Sequence, residues 1–352
     1  MRGGSRTMAN IYPISKILYK SELFDSATPE VSVIIIDYVR HNFTKESLLS
    51  VINQNIAPTE YEIILLTDDN SQSFEFVPSE ISLIVIYTDT INIGLSYYLG
   101  LLHSKAKIIC PLDNDDLWVP NRLKKLIELF KEDEKLIFIK NEITPFRDHQ
   151  NFLLRVVYIF TMNIHLAHRS ALYLIDRKFC TSYIGRSLLH NSSSMSFHKR
   201  IFSQSDSLDK LKEVIALADP FFFFSALAIE GKIGYYDSPL TMYRVGSNLG
   251  PNDFKTKFKD KYKMRYQFDQ INEIFKDKLT NSTEGGSKII FEIFCISMKI
   301  ELNLKAHETN KLSVKEILGL MRYAFCLKST NLMLLTLAYL VNKYIISIRN
   351  NR

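Results

Sequence analysis

Four apolar runs, each about one strand long and interleaved with helix-period stretches, constrain this chain more than any other feature. Val31–Ile36 (VSVIII) is apolar and β-branched at all but one position, as befits a parallel strand covered on both faces. Glu62–Leu66, Ile81–Tyr87 and Lys107–Leu112 repeat the pattern. Helical stretches follow: Thr44–Gln54, where Leu48, Leu49, Val51 and Ile52 form one stripe, then Leu95–Ser104, then Asn121–Lys131 opened by Pro120. Strands separated by helices of this length predict a Rossmann-like α/β fold with a mainly parallel, doubly wound sheet. Ligands of such sheets bind beyond the carboxyl ends of the strands. Three of the four runs end there on carboxylates: Asp37, Asp68 with Asp69, and Asp113 with Asp115.

Asp113-Asn114-Asp115 follows an apolar strand, and in extended backbone residues i and i+2 point the same way. Two converging carboxylates with added waters suit Mg²⁺ or Mn²⁺, and a metal held there could bridge the phosphates of a nucleotide diphosphate. A plain turn or helix cap would use the same residue types. Further on, Asp219 stands before Pro220 at the start of an apolar helix running through Phe221–Phe224 to Glu230. It can be an N-cap, a general base, or both. Competing nucleotide enzymes lack their marks: neither a GxxxxGK[ST] loop nor a GxGxxG turn is present, and the chain has only 12 Gly.

Six segments in one order resemble the family-2 inverting glycosyltransferases of GT-A fold: VSVIIIDYVR (31–40), YEIILLTDDNS (61–71), NIGLS (92–96), CPLDNDDLWVPNRL (110–123), Ala218–Pro220, and GKIGYYDSPLTMYRVGSN (231–248). The resemblance implies a GT-A domain over 31–250, with a nucleotide-binding half (31–140) and an acceptor-binding half (141–250). It implies that Ile36, Asp37, Tyr38 and Arg40 line the nucleotide pocket with Asn92, that Asp69 accepts from the imide of uracil or thymine, and that Asp113 and Asn114 lie near ribose and metal. By the same resemblance Asp115 is the direct metal ligand, Arg244 meets the diphosphate, and Asp219 is the base that deprotonates the acceptor hydroxyl as the anomeric centre inverts. Trp118 and Ser192, Ser193 and Ser194 are candidates for the sugar or acceptor pocket. The expected donor is a UDP- or dTDP-sugar, and the expected acceptor a glycan or a lipid-linked sugar. The chain departs from the family at Ile36, where Pro is usual, at Tyr97–Gly100, where Arg-Asn is usual, at Ala218, where a first acid is usual, and after Arg244, where no His follows. These departures leave room for the alternative of an inactive GT-A relic that binds carbohydrate or serves as a scaffold.

Residues 1–30 read as an N-terminal extension without a signal peptide, in which 1–7 (MRGGSRT) resemble an added leader. Residues 251–352 read as a basic helical region: from Lys255 onward 18 Lys and Arg face 9 Asp and Glu, against 26 and 29 before it. That excess points to a phospholipid surface rather than a nucleic acid, hence a peripheral contact through 254–352 at the inner face of the cell membrane. A homodimer through these helices, or a solvated basic face, is the alternative. Leu332–Ile348, about 17 residues interrupted by Thr336, Asn342 and Lys343, falls short of the roughly 20 a spanning helix needs. Four cysteines without CxxC spacing suit a reducing, cytoplasmic setting and no structural zinc.

Overall fold

A computed structural model describes residues 15–38, 41–89, 92–146, 171–174, 189–203, 207–214, 218–245 and 261–280, with isolated positions between 291 and 321. In chain order the elements that matter here are β1 (Ser15–Lys20), α1 (Leu23–Ser26), β2 (Val31–Asp37), α2 (Thr44–Ile52), β3 (Tyr61–Thr67), β4 (Leu83–Thr88), α3 (Ile93–His103), β5 (Ile108–Asp113), β6 (Leu117–Trp118), α4 (Arg122–Glu132), β7 (Leu136–Phe146), β8 (Leu172–Leu174), β9 (Met195–His198), α5 (Ser207–Leu211), α6 (Ala218–Leu227), β10 (Lys232–Arg244) and α7 (Lys261–Thr280). The strands form one sheet in the order β1-β4-β3-β2-β5-β9-β7-β10-β6, with β8 paired to β10. Strands β2, β3, β4, β5, β7 and β10 run in one direction, and β1, β6, β8 and β9 oppose their neighbours. The expected α/β sheet, mainly parallel, is therefore present.

The apolar runs are continuous because both faces of the sheet are covered. Ile34 and Ile36 of β2 join Ile64, Leu66, Ile84 and Ile86 in one core with Tyr97 and Leu101 of α3 and Phe221–Phe224 of α6. Val31, Val33 and Ile35 face the other way, against Leu48 and Val51 of α2 and Leu123, Leu126 and Ile127 of α4. Period-two alternation within one run thus fills two cores. Helix α6 has no polar face: Ala218 and all residues from Pro220 to Leu227 are buried, as expected of a helix apolar all round. Phe224 packs on Phe275 of α7 and on Phe291, with ring centroids 5.8 and 5.3 Å apart.

Part of the N-terminal extension is structural, since β1 pairs antiparallel with β4 at the sheet edge. The chain runs from β2 outward to β3 and β4, then returns to the other side of β2 as β5. The order reverses between β2 and β5, so the crevice of a doubly wound sheet opens at their carboxyl ends. Ile36, the penultimate residue of β2, is in register with Leu66 on one side and Asp113 on the other.

Candidate active site

Asp37 closes β2, is 1% exposed, and receives five donors. Thr44 Oγ1 (2.5 Å), Asn114 Nδ2 (2.8 Å) and His41 Nδ1 (3.0 Å) reach one carboxylate oxygen, and Gln72 Nε2 (2.6 Å) and Thr67 Oγ1 (2.8 Å) reach the other. Asp37 therefore ties together the start of α2, the end of β3 and the turn after β5. A pocket at these strand ends is lined by Ile36, Asp37, Tyr38, Leu66, Asp68, Ile93 and Ser96. Three of the expected nucleotide residues, Ile36, Asp37 and Tyr38, meet there; Arg40 lies outside the described residues. Of the paired acids, Asp68 lines the pocket, with an oxygen 3.3 Å from His41 Nε2. Asp69 turns back to accept from the Ser71 N–H and hydroxyl (2.8 and 2.6 Å), which holds its carboxyl below the usual range.

Asn92 caps α3 by accepting from Leu95 N (3.1 Å), and its amide donates to the Lys212 carbonyl (2.7 Å). Gly94 sits against the same segment, its N–H on the Val214 carbonyl (2.8 Å). A Cβ at position 94 would stand 2.0 Å from Leu211 O and 2.5 Å from Val214 O, both backbone atoms that cannot swing aside. Gly94→Ala should therefore destabilise the fold by about 1–3 kcal/mol through overpacking, read as a lower midpoint in denaturant unfolding; an unchanged midpoint would refute the contact.

The acidic loop after β5 meets a second buried segment. Asp113 Oδ2 accepts from Ser192 Oγ (2.9 Å), its N–H donates to Ser193 Oγ (3.0 Å), and Tyr97 Oη lies 3.5 Å from Oδ1. Asp116 is 1% exposed and accepts from Asn191 Nδ2 (2.9 Å) and the Arg244 N–H (3.0 Å). The Asn191 N–H donates to Asp219 Oδ2 (2.8 Å) in the first turn of α6. One short turn, 191–194, thus carries hydrogen bonds to acids from two separate parts of the chain.

Burial and mutual repulsion raise these carboxyls. Asp113 is held well above the usual carboxylate range by burial, then by Asp116, Asp219 and Asp115. Burial, then Asp115, pushes Asp116 up to about 7. Asp219 is raised by burial, while His190 and Lys140 pull it back. A cleft that crowds carboxylates in this way favours a cation. Among the described residues no three His, Cys, Asp or Glu side chains form a ready metal cage. Mg²⁺ is usually held by one or two carboxylates plus waters and substrate phosphates, and Mn²⁺ shares the preference for oxygen. Asp113 and Asp115, each partly exposed at the loop, could supply one or two carboxylates to such an ion.

Two expected ligand contacts have structural engagements instead of open ones. Arg244, 1% exposed at the end of β10, donates to the Asp115 carbonyl (2.8 Å) and pairs with Glu46 (2.7 Å), stacked between Phe43 and Phe146. Trp118 is 3% exposed, its indole N–H on the Ser193 carbonyl (2.8 Å) and its ring under the Arg122 guanidinium. Ser192–Ser194 are buried beneath the acidic loop. The sequence marks Asp68 only as a strand-end carboxylate and Tyr97 only as a departure from the family, and it does not mark Asp116, Asn191 or Lys140 for the site. A Lys in a strand-like run and an Asn leading a serine run were the available signals.

A model of glycosyl transferase family 2 matches residues 32–205. An uncharacterized glycosyltransferase of Rickettsia bellii (strain RML369-C) is 30% identical over 131 residues, 36% of this chain and only 18% of that relative's length. The crystal structure of S. aureus TarS 1–349 in complex with UDP superposes with a TM-score of 0.54 at 16% identity over 92% of each chain. The complex of the same protein with UDP-GlcNAc gives 0.55 at 14% identity, over 85% of this chain and 81% of that one. At such identities the likeness is one of fold. Among the described residues no helix is long and apolar enough to cross a membrane, and Leu332–Ile348 lies outside them.

Proposed function

The chain belongs to glycosyl transferase family 2 through residues 32–205, and from that premise we propose that it moves a sugar from a UDP-sugar to an acceptor hydroxyl with inversion. The observation that carries the reading is the convergence of Asp113, Asp116 and Asp219 on the 191–194 turn at the sheet's switch point. The UDP and UDP-GlcNAc bound by TarS, which shares the fold, support a uridine donor.

In this mechanism the base and ribose occupy the pocket of Ile36, Tyr38 and Asp68, with Asp37 as the anchor of its walls. Asp113 and Asp115 would hold Mn²⁺ or Mg²⁺, and such an ion would supply positive charge to offset the diphosphate leaving group. Arg244 holds the Asp115 carbonyl and so keeps the acidic loop in place. Asp219, kept ready by its bond from the Asn191 N–H, takes the proton of the acceptor hydroxyl as that oxygen attacks the anomeric carbon from the face opposite the diphosphate. A glycan or lipid-linked acceptor, and a peripheral membrane contact through the basic tail, complete the proposal.

The test is a panel of nucleotide sugars with Mn²⁺, scored by release of free nucleotide. We expect turnover confined to one or a few UDP-sugars and lost on chelation. Binding of UDP-sugars with no release from any donor, with or without glycan acceptors, would instead identify an inactive relic.

A further inference from the structure

We propose that Lys140 and Asn191 are a positioning pair that aims Asp219, an inference that rests on the reading of Asp219 as the base. Among the described residues Asn191 is the one non-glycine residue with positive φ, at 67°, a left-handed angle that Asn tolerates better than most side chains. In that conformation its backbone N–H points to Asp219 (2.8 Å) while its side-chain amide points to Asp116 (2.9 Å). A single residue thus ties the first turn of α6 to the loop after β5. Asn191 Oδ1 is buried and makes no hydrogen bond among the described residues, so the Asp116 bond is what orients the side chain.

The turn is held from below by Lys140. This lysine is 3% exposed in the middle of β7, and its Nζ donates to the His190 carbonyl (2.5 Å) and to Ser194 Oγ (2.5 Å). Ser194 Oγ in turn donates to the Asn191 carbonyl (2.8 Å). The carbonyls on both sides of the Asn191 backbone angle are therefore fixed through one ammonium. Burial lowers the Lys140 pKa to about 8, while Asp219, Glu142 and Asp116 favour its charged form. The charged and titratable groups facing Asp219 are Lys140 of β7, His190 before the turn, Asp113 of β5 and Tyr97 of α3. Lys140 is the buried cation among them. It holds the geometry of the Asn191 N–H and favours an ionised Asp219 at once.

The experiment is a set of kcat–pH profiles of the full chain with the UDP-sugar that the wild type turns over, alongside calorimetry with UDP and Mn²⁺. Lys140→Met should lower kcat at least tenfold and move the acid limb to higher pH, because loss of the cation favours the protonated carboxyl. UDP affinity should stay within twofold. Asn191→Ala, strained at its backbone angle, should move the limb the same way. Asn191→Gly keeps the angle and the N–H donation and should leave the limb in place. If Lys140→Met does not fold, the Asn191 pair decides. Wild-type profiles for Lys140→Met and Asn191→Ala, or a limb shifted as far by Gly as by Ala, would overturn the proposal. An active Asp219→Asn would sink the base reading itself; an inactive one beside wild-type-like Lys140→Met and Asn191→Ala sinks only the positioning.

Discussion

Asp219→Asn should cut turnover by about 10²–10⁴-fold, the usual contribution of a positioned general base, while UDP and Mn²⁺ bind as before. The substitution is nearly isosteric and keeps an oxygen to accept the Asn191 N–H at 2.8 Å, so the turn and α6 stay in place. What disappears is a group able to take the acceptor's proton. The wild type should also show where that group titrates. Its carboxyl is raised by burial, and only the ionised form can act, so kcat should fall as pH drops through a value above the ordinary carboxylate range. In the variant that limb should vanish. Turnover within a few-fold of wild type would remove Asp219 from the mechanism.

A comparable loss, at the binding step, is expected for Asp115→Ala. Removing even an outer partner of a metal ligand commonly costs about 10–100-fold in affinity, so loss of a ligand should weaken Mn²⁺-dependent UDP binding by about 100-fold or more. The backbone contact of the loop does not depend on the side chain, because Arg244 Nε reaches the Asp115 carbonyl at 2.8 Å. The variant should therefore unfold like wild type while calorimetry loses the metal-dependent part of the binding heat. A Mn²⁺ dependence identical to wild type would refute the ligand assignment.

The strands and their carboxylate ends were legible in the sequence because they lie in unbroken apolar runs that need no partner to be recognised. β7 and β10 were not, for a physical reason. β7 carries Lys140 and Asn141 fully inside the protein, and β10 carries Asp237-Ser238-Pro239 with register shifts between Tyr236 and Thr241. Polar residues in a strand read as loop until the structure supplies their partners. The site divides the same way. Asp113 and Asp115 are close in sequence and could be paired by spacing, and Asp219 by its family context. Asn191 meets Asp116 across 75 positions and Lys140 meets Ser194 across 54, distances over which spacing carries no information. Trp118 and Arg244 were marked by position, but the partners that occupy them come from β7, the 191–194 turn and α2.

The phenylalanine run of α6 has a consequence for the tail. Phe221 and Phe224 both lean on Phe275 of α7, while Phe222 meets Tyr97 on the opposite flank. Helix α6, which bears Asp219, is thus wedged between α3 and α7, with no wet side on which to slide. A displacement of α7 would press on the helix that bears Asp219 through edge-on and tilted ring contacts, which makes α7 a support of the candidate site rather than a handle attached to it.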